Sequence, residues 1–91
     1  MKKVELSVVE ELIGIKLQEE ELESQFSILR RNRAQKADFD ALNERYSEVC
    51  SKRSEFISSR KLPGYFHSIK AGNLAAKLRW CTVSSDGFVT L

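Results

Sequence analysis

Two stripes of apolar residues run along this chain at the alternating three- and four-residue steps of a helical seam, and the two are out of phase. The first is Leu12, Ile15, Glu19, Leu22, Phe26, Leu29, and the second is Phe39, Leu42, Tyr46, Val49, Arg53, Phe56. From Leu29 to Phe39 the step is ten residues, which on one continuous helix would rotate the second stripe well off the line of the first. Two long amphipathic helices joined by a turn resolve the conflict. The expected fold is mainly α: a long antiparallel helical hairpin, coiled-coil-like, with a short C-terminal helix and a terminal β-hairpin.

With 91 residues the chain makes a single domain, large enough for a modest core and small for a deep catalytic cleft with its scaffold. Apolar residues make up 42% and charged residues 31%, with four Gly and one Pro, a helix-rich profile too apolar for a disordered tail. No window approaches about 18 uninterrupted apolar residues, so no membrane span is expected. Lys2 and Lys3 lead into Glu5, Glu10 and Glu11 rather than into the apolar core of a signal peptide, which makes the cytoplasm the default location. Cys50 and Cys81 lack CxxC spacing and the chain has one His, too few ligands for a zinc cage. Two half-buried free thiols are expected, with a disulfide as the alternative.

Local signals place the elements. Ser7 reads as an N-cap with Glu10 three residues on to complete a capping box, and Leu6 and Glu11 fall at the staple positions. Helix one is assigned to residues 7–34, ending in the cationic stretch Arg30 to Lys36 with Asn32 at the turn. Asp38 reads as the N-cap of helix two, residues 38–61, which Leu62, Pro63 and Gly64 stop. Residues 62–91 form a cap segment. In it, a brief helix from Tyr65 to Ala71 is stopped by Gly72, Asn73 caps another turn, and Leu78–Val83 pairs with Phe88–Leu91 around a Ser84–Gly87 turn. The first half of helix one is apolar on a broad face from Val8 to Leu17, so something besides helix two must pack there: the cap segment or another subunit.

The charges are segregated although the net charge is only +2. Between Glu5 and Glu23 there are seven Glu against Lys16 alone, Arg30, Arg31, Arg33 and Lys36 follow without an acid, and from Lys52 to Arg79 seven cations stand against Glu55. Glu19 and Arg53 each interrupt an apolar stripe, so that Glu19 either faces Arg53, as a pair that would fix register, or lies at a gap in the seam. His67 has no assigned carboxylate or nucleophile beside it, and there is no phosphate loop, GxSxG or metal motif, so no catalytic, cofactor or metal assignment follows. The expectation is a small non-enzymatic interaction protein that binds and modulates a larger protein partner. Its candidate contact residues are Phe26, Tyr65, Phe66 and Trp80 as apolar anchors, with Glu20, Glu23, Arg30 and Arg31 as steering charges. Two rival readings stand beside it: a nucleic-acid-binding accessory protein using the basic C-terminal half, and a homo-oligomer assembled through the early face of helix one.

Overall fold

The chain doubles back where the phase break requires it. A computed structural model describes residues 3–90 and gives the order β1 (Lys3–Glu5), α1 (Leu6–Arg31), α2 (Lys36–Ser59), a single 3-10 turn (Gly64–His67), α3 (Ala71–Trp80) and β2 (Phe88–Thr90). The two long helices pack against each other as an antiparallel hairpin with extents of 51 × 25 × 17 Å for the whole molecule. Lys2, of the basic pair that precedes Glu5, and Leu91, the last residue of the expected terminal strand, lie outside the described residues.

Neither helix uses the cap expected of it. Ser7 is no N-cap: the helix begins at Leu6, directly after β1, and the Leu6 N–H donates to the Gly87 carbonyl at 2.8 Å, so main chain from the far end of the sequence caps α1. Asp38 is no N-cap either, because α2 begins at Lys36 behind Gln35 and leaves Asp38 in the first turn, where its charge suits the helix dipole. Both helix ends are Schellman closures. The Ala34 N–H donates to Leu29 at 3.0 Å and the Arg33 N–H to Arg30 at 3.3 Å; the Leu62 N–H donates to Ile57 at 3.1 Å and the Lys61 N–H to Ser58 at 3.2 Å. The left-handed position that such a closure demands is filled by Arg33 in one case and Lys61 in the other, each at φ 52.

The cap segment departs further from its local signals. Gly72 does not stop a helix but sits in the first turn of α3 with Asn73, because Ala71 and Leu74, buried to 1% and 0% exposure, bind that helix to the core and outweigh the weak propensity of a single glycine. The residues from Tyr65 form only the short 3-10 turn. Leu78 continues the spacing of Ala71 and Leu74, so the stretch from Leu78 to Trp80 is helical rather than a strand. What remains of the terminal hairpin is the tight turn before Gly87, at φ 85, and one bridge between Val83 and Val89. The main partner of β2 is β1, antiparallel in the register Lys3 to Thr90, Val4 to Val89 and Glu5 to Phe88. This ties the two ends of the chain together.

The core follows from that closure. Val4, Val9, Leu12, Ile15, Phe56, Ile57, Phe66, Leu74 and Val89 form one buried cluster at the base of the hairpin, drawn from all five regular elements and the 3-10 turn. The broad early face of α1 is thus covered by the cap segment of the same chain. Beyond the base the hairpin is a two-helix arm in which Leu22, Phe26, Leu29, Phe39 and Tyr46 are half-buried and Leu42 on the seam is buried.

Candidate interaction surface

Charged residues on an apolar seam have to be paired, and here they are. Arg53 donates from Nη1 to Glu19 Oε2 at 2.8 Å, joining the two stripe interruptions as the sequence suggests, with Glu19 only 6% exposed. Tyr46 donates its phenol to Glu23 Oε1 at 2.7 Å, and Lys70 approaches Glu23 Oε2 at 3.9 Å. One turn before Glu19, the buried Lys16 donates to the His67 carbonyl at 3.3 Å. These contacts fasten α1 to α2 and to the cap at one level of the molecule, around a small polar cavity of about 80 Å³. Burial, then the nearby Arg53 charge, holds the Lys16 ammonium below its ordinary pKa, while the bond to Glu23 and burial push the Tyr46 phenol up. Glu19 Oε1 and Arg53 Nε are buried without a protein partner. The cluster sets the register of α1 against α2 and against the segment that leads into α3.

The proposed anchors divide. Phe66 is 0% exposed and belongs to the core, so it is corrected from an anchor to the plug at the open end of the helical pair. Its neighbour Tyr65 is 41% exposed, meets Phe66 edge to face at 4.7 Å and lies under Lys77 Nζ at 5.7 Å. Trp80 is 85% exposed at the last position of α3, on the opposite side of that helix from Ala71 and Leu74. Phe26 is half-buried against Tyr46, with ring centroids 5.7 Å apart. Glu20 borders the polar cavity and Glu23 is engaged by Tyr46 and Lys70, whereas Arg30 and Arg31 are exposed at the hairpin tip. The eight residues therefore occupy three levels of a long molecule rather than one patch.

The basic C-terminal half is partly committed as well. Arg53 serves Glu19, Lys70 approaches Glu23, and the Arg60 guanidinium stacks over the Phe56 ring at 3.9 Å. Both cysteines are free and half-buried; Cys81 donates to the Thr90 carbonyl at 3.3 Å, and burial raises the Cys50 thiol. Among the described residues there is no group of three or more His, Cys, Asp or Glu able to hold a metal, and no helix long and apolar enough to cross a membrane.

Three further apolar residues, none of them among the expected contact residues, are exposed: Leu17, Ile28 and Val83, at 55%, 49% and 47%. Leu17 and Ile28 fall off the seam stripe, and that was the available signal. Ile28 borders an open groove of about 380 Å³ between α1 and α2 near the tip, with Leu29, Ala41 and Leu42 as its floor. No family model, curated protein or solved structure matches this chain.

Proposed function

We propose that this chain is a small, non-enzymatic protein-interaction module that docks on a larger protein partner through its C-terminal cap and modulates it. The observation that carries this reading is Trp80, left 85% exposed on a helix whose other side is buried at Ala71 and Leu74. An indole held in water on a rigid element, its side-chain order fixed by only two torsions, is the kind of group that gives most when a partner desolvates it. Val83 and Tyr65 add exposed apolar area in the same segment, and Lys77 and Arg79 flank the indole with positive charge. The surface therefore suits a partner that offers an apolar pocket with an acidic rim. Free thiols fit a reducing compartment, in keeping with a cytoplasmic site of action.

The test is affinity capture from native extract with the full chain, compared with Trp80→Ala and with Trp80→Ala combined with Tyr65→Ala. Circular dichroism should show both variants folded, since neither side chain is part of the buried cluster. The expected result is loss of a stoichiometric partner with the double variant and marked weakening with Trp80→Ala alone. Retention of every captured protein by the folded double variant would remove the reading. The nucleic-acid alternative is weighed in the same preparation by titrating DNA and RNA at two salt concentrations, since phosphate binding must weaken steeply as salt rises. The engagement of Arg53, Lys70 and Arg60 within the fold counts against it.

A further inference from the structure

We propose that the hairpin tip is a self-recognition surface, on which a second copy of this chain docks antiparallel so that Asp38 of each copy meets Arg45 of the other. The groove floor there is apolar, and Ile28 beside it is 49% exposed. The cap segment that covers the early turns of α1 forms its cluster at the base, so the tip face of the two-helix arm is left without a third layer. Asp38 and Arg45 stand at opposite ends of this floor on one face of α2, two helical turns apart, and both are exposed. Neither takes part in the ion pairs formed among the described residues.

This arrangement selects its own occupant. A two-fold axis across α2 between Ala41 and Leu42 exchanges the position of Asp38 with that of Arg45. Opposite charges then meet at both ends, and apolar floor meets apolar floor in between. A parallel arrangement would set Asp38 on Asp38 and Arg45 on Arg45 and is disfavoured. A partner of a single charge sign would satisfy one end and repel the other. Ala41, the smallest side chain of the floor, lets two copies of α2 approach closely. The dimer so formed is a four-helix arrangement at the tips, with the two Trp80 surfaces at its far ends. It does not depend on what Trp80 binds.

Sedimentation of the full chain over a wide concentration range tests this. The wild-type protein should pass from monomer to dimer as concentration rises, and Arg45→Glu should weaken that association at least tenfold. The charge-exchanged variant Asp38→Lys combined with Arg45→Glu should recover dimers, because the same contacts are restored with signs reversed. Asp38 lies in the first turn of α2, where a cation opposes the helix dipole, so Ala41→Glu on the exposed floor serves as a second disrupting variant if the exchanged protein melts early. A wild type that stays monomeric at every concentration overturns the proposal. So does a folded Arg45→Glu or Ala41→Glu variant that dimerises as tightly as wild type.

Discussion

The base and the arm of this hairpin are made from the same two helices, yet they are stabilised in different ways. At the base, α1 is surrounded by α2, by α3 and by a sheet that joins both ends of the chain, and six large side chains there fall below 2% exposure: Phe66, Leu12, Ile57, Leu74, Val9 and Val89. In the arm a single seam is shared by two helices, and among its apolar residues only Leu42 is buried. Helical periodicity alone makes the arm; third-layer packing makes the base. The difference teaches that a long helical pair inherits its stability from whatever covers one end of it, and that the uncovered end is where opening and recognition are least costly.

The sharpest way to break this contrast is to cut a large side chain from each region. Phe66→Ala should cost about 3–5 kcal/mol and leave the protein largely unfolded at 37 °C, since the aromatic plug sits at 0% exposure among residues from every element. Leu29→Ala in the arm should cost about 1–2 kcal/mol, because part of the side chain already faces solvent. Chemical denaturation measures both. Equal losses would mean that the arm is as tightly packed as the base, and the comparison would fail.

The polar cluster lies at the border of the two regions, and its two partners should not be equivalent. Removing Glu19 leaves two cations, Arg53 and the buried Lys16, close together without their shared anion; removing Arg53 leaves Glu19 still opposite Lys16. Glu19→Met should therefore cost about 3 kcal/mol and Arg53→Met closer to 1–2 kcal/mol, with the double variant recovering part of the loss. A double-mutant cycle by urea unfolding checks the order, and equal losses would show that Lys16 does not feel Glu19.

Tyr46 provides a smaller effect with a pH signature. Its pKa in the fold is raised from an ordinary value of 10.0, mainly because the phenol must keep its proton to donate to Glu23. A raised folded value means the contribution is complete below pH 10 and is lost as pH climbs from there through the folded pKa. Tyr46→Phe should cost about 1 kcal/mol at neutral pH and flatten the part of the alkaline stability loss that comes from this group. An unchanged slope between pH 9 and 11.5 would show that the bond is not formed in solution.

How much of this could be read from the residues depends on the range of the force that decides each feature. The hairpin, its turn at Asn32 and the Glu19–Arg53 pair were legible, because periodicity and antiparallel geometry follow from positions close in sequence or paired by one seam. The pairing of β1 with β2 was not, since it links the two ends of the chain and short strands carry almost no pattern of their own. Nor could the sequence distinguish Phe66 from Trp80 as core and surface, because that is decided by which side of the 3-10 turn and of α3 meets α1. Gly72 misled for the same reason, its local preference being outweighed by the burial of Ala71 and Leu74. Ser7 misled because the Gly87 carbonyl, brought from the far end of the sequence, caps α1 one residue earlier, and Asp38 because α2 starts at Lys36, directly behind the closure that ends α1.

The helix stops bring the smallest and most discriminating effect, because the two regions use the same closure. Arg33 at the tip and Lys61 at the base both sit at φ 52, a conformation that crowds a β-carbon and that glycine adopts without penalty. Substituting glycine removes that crowding but also loosens the unfolded chain, so the net gain is at most about 1 kcal/mol. At the base any net change should appear as global stability, since Leu62, which follows Lys61, packs on the buried cluster and its closure opens with the whole fold. At the tip the closure can fray with the arm, so Arg33→Gly should slow amide exchange around residues 28–34 more than it raises the melting temperature. Measuring exchange and melting on both variants separates the cases: a tip variant that raises global stability as much as the base variant would mean that arm and base unfold as one unit.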